Sequence, residues 1–230
     1  MDPSKKRFVI SLGGSIIVPG AVDVEFLKRF KEVILALVAE GYSFIIMPGG
    51  GAVAREYQQA LSAFGIQEAE IRDRMGIRAL GLNAELLQAL FVGVITSPIV
   101  TDNAKLPSED FKVLIAEGAV PGRSSDAGAV ELARTLGVQV VINLSNITHV
   151  YASDPKENPE AESYPTISWA EYRKLIPQGW DPGLSTPFDP VASEMAESGG
   201  LTVAILNGHD TDALEAFVRS GECRGTLIQP

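Results

Sequence analysis

Short apolar runs alternate with stretches of three-and-four apolar spacing along this chain, and that alternation limits the folds open to it. Residues 7–12, 43–47, 91–95, 112–115, 138–144, 201–206 and 226–228 read as strands. Between the first two, apolar residues recur at Val24, Leu27, Phe30, Val33, Ile34, Leu37 and Val38, the stripe of an amphipathic helix over 23–40 stopped by Gly41. Further helices are expected over 52–64, 68–90, 127–136, 190–198 and 212–220, with Gly137 ending the third of these. The run 138–144 is apolar almost throughout, as a strand covered on both faces must be. Strands separated by helices favour a three-layer αβα sandwich around a mainly parallel central sheet. No composition break or long linker divides the 230 residues, so one domain spanning 1–230 is expected.

Composition narrows the function classes. The net charge of −10 argues against nonspecific nucleic-acid binding, where a basic surface supplies most of the affinity. It leaves nucleotides open, because a few arginines and backbone N–H groups can hold phosphates on an acidic protein. No apolar run approaches the roughly 18–20 residues that span a bilayer, so no membrane partner is expected. The first residues carry positive charge without the apolar core of a signal peptide. The lone Cys223 cannot form an internal disulfide, and no Cys/His cluster points to zinc. A cytoplasmic location is the expectation.

Chemistry concentrates in three loops. Gly13-Gly14-Ser15 and Gly49-Gly50-Gly51 each follow a strand and lead toward a helix. A phosphate must come close to main-chain N–H groups, and glycine removes the Cβ that would obstruct it. Tight strand-to-helix turns also favour glycine, so both uses stay open. Neither loop has the glycine spacing of a dinucleotide fingerprint or a P-loop, which disfavours an oxidoreductase and a P-loop NTPase. Arg55 follows Gly51 by about one helical turn, placed to reach an anion there. The third loop, Pro121-Gly122-Arg123-Ser124-Ser125-Asp126, offers hydroxyls, a guanidinium and a carboxylate before a helix. One such residue suffices for an N-cap; three beside an arginine suggest ligand contacts as well.

In this order the motifs resemble the amino-acid kinase superfamily, and most closely its archaeal-type UMP kinases. The likeness begins at Gly13-Gly14-Ser15 and Gly49-Gly50-Gly51 with Arg55, then takes in Arg72-Asp73 with Gly76 and Asn83-Ala84. It continues through Pro121-Gly122 with Ser124-Ser125-Asp126, Ser145-Asn146, Val150-Tyr151 and Asp154-Pro155. Gly183, Asp189-Pro190 and Gly225-Thr226 complete it. The resemblance implies transfer of the ATP γ-phosphoryl group to UMP with Mg²⁺, in a homo-oligomer, specifically a hexamer. Gly13, Gly14, Ser15, Gly51 and Arg55 would meet the ATP phosphates. Ser145, Asn146, Tyr151 and Asp154 would surround its adenosine. Gly50, Asp73, Ala119, Val120, Pro121, Gly122, Arg123, Ser124 and Ser125 would hold UMP, with Asp73 accepting from ribose hydroxyls. Asp126 would orient the catalytic groups.

Four positions depart from that pattern. Many members carry lysine where this chain has Ser11, and Thr148-His149 stands where Asp-Gly is usual. Gly81 replaces an arginine and Glu194 a lysine of some relatives. Lys5 and Lys6 lie about 17 Å upstream at about 3.3 Å per strand residue, beyond reach of the loop. Arg123 is therefore the candidate for neutralising the transferring phosphoryl group, since a guanidinium forks well onto phosphate. The lost charges leave two alternatives beside UMP kinase: a superfamily kinase for another small acid or phosphate, or a nucleotide-binding sensor or storage protein with weakened catalysis.

Overall fold

Val9 to Leu12 are all buried, so the first strand lies inside the sheet with a helix layer on each side. The structure is a computed structural model that describes residues 6–102, 105–107, 110–118, 121–155, 157–179, 184 and 186–230. The chain begins β1 (Arg7–Leu12), α1 (Gly14–Ile17), α2 (Val24–Ala39), β2 (Ser43–Pro48), α3 (Gly51–Ala63) and α4 (Ala69–Leu90). It continues β3 (Val113–Ile115), α5 (Ser125–Leu136), β4 (Val140–Ser145), β5 (Val150–Tyr151), β6 (Ser163–Tyr164) and β7 (Thr166–Ser168). It ends α6 (Trp169–Leu175), α7 (Pro190–Ser198), β8 (Thr202–Asn207), α8 (Thr211–Ser220) and β9 (Thr226–Gln229).

Seven strands form one sheet in the order β3-β2-β1-β4-β8-β9-β7, and β5 pairs with β6 as a separate antiparallel ribbon. Every pairing in the large sheet is parallel except β8 with β9. The period of two along β1 sorts its side chains into two cores. Val9 joins Ile45, Val141 and Val203 beneath α5, α6 and α7. Ile10 and Leu12 join Ile46, Ile142 and Leu206 against α2, α4 and α8. Phe26, Phe30, Ile34 and Leu37 of α2 supply much of the second core, the stripe expected from their spacing. The three-layer αβα sandwich is thus the arrangement of the chain.

Helix ends are fixed locally. Ser124 Oγ accepts from the Ala127 amide at 3.2 Å to start α5, and Gly137, at φ 67°, ends it in the left-handed conformation. Asp189 Oδ1 accepts from the Ala192 amide at 2.7 Å to start α7, with Pro190 in the first turn where it needs no N–H partner.

Two expectations change. Residues 91–95 form no sheet strand: Phe91 caps α4, Gly93 turns the chain at φ 99°, and only an isolated bridge joins Val92 and Ile95. The β7–α6 segment was not anticipated. There the chain passes from strand to helix without a break, and the readable signal is a capping box in which Ser168 and Glu171 bond reciprocally. β7 pairs only with β9 among the described residues. The Thr226 hydroxyl at the head of β9 accepts from the Val150 amide at 2.9 Å and donates to the Tyr164 carbonyl, clasping β5 and β6 to the sheet.

Candidate active site

Strand order sets where ligands fit. From β1 the chain builds outward through β2 to β3, then returns to lay β4 on the other side of β1, followed by β8. The loops leaving β1 and β4 therefore diverge, and a crevice opens at the carboxyl ends of these two strands. Gly13, Gly49 and Ser145 all sit at that edge. The Gly13 amide donates to Leu144 O at 2.8 Å and the Gly49 amide to Leu12 O at 2.8 Å, so each ladder runs on into its glycine turn.

The two glycine turns touch. A Cβ on Gly14 would lie 2.0 Å from the Gly51 nitrogen and 2.6 Å from the Gly49 carbonyl carbon. Gly51 adopts φ 67°, which lets α3 begin directly against the first turn. The expectation that each turn leads to a helix holds for α3; the first leads only into the single turn of α1. A cavity of about 370 Å³ opens above them, lined by Gly13–Ser15, Gly49–Gly51, Arg55, Asp73, Arg123–Asp126, Asn143, Ser145 and Asn146. Loops far apart in sequence thus converge on one space.

Asp126 is the hub of the cavity floor. Ser11 and Asn143 are paired neighbours on β1 and β4 and share the face beneath α5. The Ser11 hydroxyl donates to Asp126 Oδ1 at 2.6 Å and the Asn143 amide donates to the same oxygen at 2.9 Å. The Asp189 amide donates to Asp126 Oδ2 at 3.2 Å. Burial pushes the Asp126 carboxyl up to about 6, against the lowering by Ser11, and the neighbouring Asp189 adds to the rise. Burial likewise raises Asp189. Three buried oxygens here make no well-formed hydrogen bond: Asn143 Oδ1, Ser145 Oγ and Asp189 Oδ2.

Asp73 lies on the opposite wall. It is buried, and its Oδ2 accepts from the Gly122 amide, so the carboxylate ties α4 to the loop before α5. Burial raises its pKa, partly offset by that N–H. Arg123 is exposed, pairs with Glu131 at 3.2 Å and is one of the residues lining the cavity. Arg55 is exposed on the rim, with Nη2 3.5 Å from the Pro19 carbonyl. No lysine or histidine lines this cavity among the described residues. Lys6 is engaged elsewhere, donating to the Glu40 carbonyl at 2.9 Å. Pro121, Gly122, Ser124 and Ser125 occupy the loop and first turn of α5, with Ser124 and Ser125 in the lining. Ala119, Val120, Lys5 and Gly183 lie outside the described residues.

A second cavity of similar volume continues from the first, sharing Ser145, Asn146, Thr186 and Pro187. It brings together all four residues expected around a nucleoside: Ser145, Asn146, Tyr151 and Asp154. The Tyr151 hydroxyl lies 2.8 Å from Thr148 Oγ1, and the His149 ring stands edge-on to Tyr151 with centroids 6.3 Å apart. Sequence reasoning gave no role to Asn143, His149, Asp189 or Tyr172. Asn143 carried a signal, being a polar residue inside an otherwise apolar strand. Asp189 entered only through the Asp189-Pro190 match to the family, without a role, and nothing local reveals that Tyr172, 46 residues from Asp126 in sequence, closes the same region by bonding the Phe188 backbone.

Comparison with known proteins agrees with this geometry. A sequence profile of the amino acid kinase family matches residues 6–207. The uridylate kinase of Methanospirillum hungatei is 34% identical over 226 residues, covering 96% of this chain and 93% of that protein. The uridylate kinase of Pyrococcus abyssi is 32% identical over 227 residues, covering 97% of this chain and all of that protein. Among solved structures, uridylate kinase from Archaeoglobus fulgidus superposes with a TM-score of 0.77 at 28% identity, covering 96% of this chain and 99% of that one. UMP kinase from Bacillus anthracis superposes at 0.79 with 20% identity, a likeness of fold, covering 97% and 96%. By sequence over nearly its whole length, and by the sheet and glycine turns that carry its cavities, the chain belongs to the amino acid kinase family.

Proposed function

We propose that this protein transfers the γ-phosphoryl group of ATP to UMP, giving UDP and ADP. The observation that carries the reading is the pair of abutting glycine turns beneath one cavity that runs on into a second. Two adjoining cavities of about 370 Å³ each, sharing lining residues, support a reading with two ligands placed end to end. The curated relatives named uridylate kinase support the same acceptor.

In this reading ATP lies over the end of β4. Its base and ribose occupy the cavity of Ser145, Asn146, Tyr151 and Asp154, and its phosphates rest on Gly13, Gly14, Ser15 and Gly51, with Arg55 at the rim. UMP lies toward Gly50, Asp73 and residues 119–125, with Arg123 beside its phosphate. An oxygen of that phosphate bonds to the γ-phosphorus as the bond from that phosphorus to the β,γ-bridging oxygen breaks. The attacking oxygen is already anionic, so no base need remove a proton. Catalysis then consists of positioning and charge neutralisation. Asp126 contributes by fixing Ser11 and Asn143 under the reacting phosphates. The side-chain oxygens of Asp126, Asp189 and Asn143 are hard donors that would hold Mg²⁺, which would supply neutralising charge beside the triphosphate. Single-domain action in the cytoplasm, as a homo-hexamer, completes the reading. The exposed Tyr57, Phe64 and Leu82, on or beside α3 and α4, support self-association.

UDP formation from ATP, UMP and Mg²⁺ by the purified protein tests the proposal. Absence of turnover with every nucleoside monophosphate would remove it. One observation favours a second reading, a nucleotide-binding sensor or storage protein: the cavity has two arginines, both exposed, and one is paired to Glu131. Tight ATP binding by calorimetry without turnover distinguishes that case.

A further inference from the structure

We infer that this chain holds one hard divalent cation, Mg²⁺ or Mn²⁺, on side-chain oxygens of Asp126, Asp189 and Asn143 before any nucleotide binds. Four elements meet at this point. Ser11 of β1 and Asn143 of β4 lie side by side, Asp126 stands in the first turn of α5, and Asp189 caps α7. Asp126 is held from both sides by the Ser11 hydroxyl, the Asn143 amide and the Asp189 N–H, which fixes its carboxylate in place.

What remains unsatisfied is acceptor only. Asn143 and Asp189 are each 4% exposed; Asn143 Oδ1 is buried with no donor, and Asp189 Oδ2 is buried without a well-formed hydrogen bond, the Ser124 hydroxyl and Val191 amide lying near that carboxylate. Leaving a buried acceptor unmade costs about 1–3 kcal/mol, and more when it is charged. The Asn143 carboxamide is oriented by its N–H bond to Asp126, so its carbonyl oxygen belongs to the same cluster and lines the same cavity. The Asp126 and Asp189 carboxylates meet here, and among the described residues the ion pair of Arg123, which lines the cavity, is with Glu131 rather than with either of them. Buried negative charges so arranged need a cation.

The donor set selects the kind of cation. Two carboxylate oxygens and an amide carbonyl are hard ligands, and no thiolate or imidazole is present to draw a softer metal. Magnesium characteristically takes one or two carboxylates and completes its shell with water and substrate phosphate. Asp126 and Asn143 line the cavity bounded by the glycine turns, the side from which water and phosphate would complete the shell. A cation held there supplies the positive charge that lysines give at positions 11 and 194 in some relatives. That part in phosphoryl transfer rests on the reading proposed above; the binding itself does not.

The test uses the full chain stripped of metal and titrated with Mn²⁺ alone, without nucleotide, with free Mn²⁺ followed by electron paramagnetic resonance. One Mn²⁺ per chain, displaced by Mg²⁺, is expected. Asp189→Asn keeps the helix cap and removes the charge, and Asn143→Leu removes the carbonyl oxygen at similar volume. Each should weaken Mn²⁺ binding about 10-fold or more, with a cooperative thermal transition confirming that the variant is folded. Asn143→Asp adds a third carboxylate and should tighten binding, so the outcome does not depend on loss alone. No Mn²⁺ bound without nucleotide, or affinity unchanged across the three variants, overturns the inference. UDP formation is measured separately. A protein that binds Mn²⁺ yet makes no UDP keeps the cation site and loses the kinase reading, and one that makes UDP without binding Mn²⁺ alone does the reverse.

Discussion

Gly14→Ala is the sharpest perturbation of the contact on which the first cavity rests. The new Cβ would lie 2.0 Å from the Gly51 nitrogen, where ordinary contact begins at 3.4 Å, and its other close neighbours are also backbone. No side chain can rotate away, so the two turns must separate by about 1.4 Å at that point, an overpacking that costs about 1–3 kcal/mol. For a chain of this size that lowers the melting temperature by about 2–12 °C. Phosphoryl transfer should suffer more, because a displacement of about 1 Å can reduce rate about 100-fold. Gly20→Ala is the control. Its Cβ would meet nothing within 4 Å and its φ is not positive, so wild-type activity and equal or slightly higher stability are expected. Differential scanning fluorimetry and a coupled assay for UDP with saturating ATP measure both effects. A folded Gly14→Ala protein with wild-type melting temperature and turnover would refute the claim that these turns are locked together by backbone contact.

Two further variants probe the walls. Arg123→Ala should lower kcat about 1,000-fold if this guanidinium neutralises the transferring phosphoryl group; steady-state kinetics showing unchanged turnover would assign that charge elsewhere. Asp73→Asn should keep the bond from the Gly122 amide while removing a buried charge. Burial raises the folded-state pKa of Asp73, so the wild type incurs a destabilisation as pH rises through that value and none below the unfolded value. The variant should therefore melt higher near neutrality and converge with the wild type in acid, and thermal melts across pH 4–8 showing the opposite trend would contradict the burial argument.

Much of this fold was legible because its signals are local. The stripe on α2, the glycine stop at Gly137 and the proline after Asp189 each act within a few residues, and each element formed where its pattern indicated. The segment 91–95 misled because an apolar run fits a strand or the tail of a helix equally well. Here Phe91 caps α4 and enters the core, Val92 is left exposed, and after the turn at Gly93 Val94 and Ile95 pack only partly against that core. The candidate site divides in the same way. Glycine turns and the serine-rich loop are visible in sequence because close backbone approach and capping restrict residue type. The link from Ser11 to Asp126 spans 115 positions and the link from Asp126 to Asp189 spans 63, so each depends on strand order rather than on neighbours. Asp73 shows the converse: it sits in a charged run that reads as surface, yet the rotation of α4 turns it inward.

The clasp made by Thr226 gives the chain a late step in its own biogenesis. Residues 150–164, which carry Tyr151 and Asp154, are anchored through a hydroxyl that emerges from the ribosome more than 60 residues after them, and β7 has no described sheet neighbour until β9 arrives. During synthesis β1 to β4 can pair with one another before β8 arrives on the outer side of β4, while the wall carrying Tyr151 and Asp154 waits longer still, for β9. Under the proposed function, anion binding should therefore develop on a nascent chain before base recognition does, with the last strand as the fastener that completes the proposed nucleotide site.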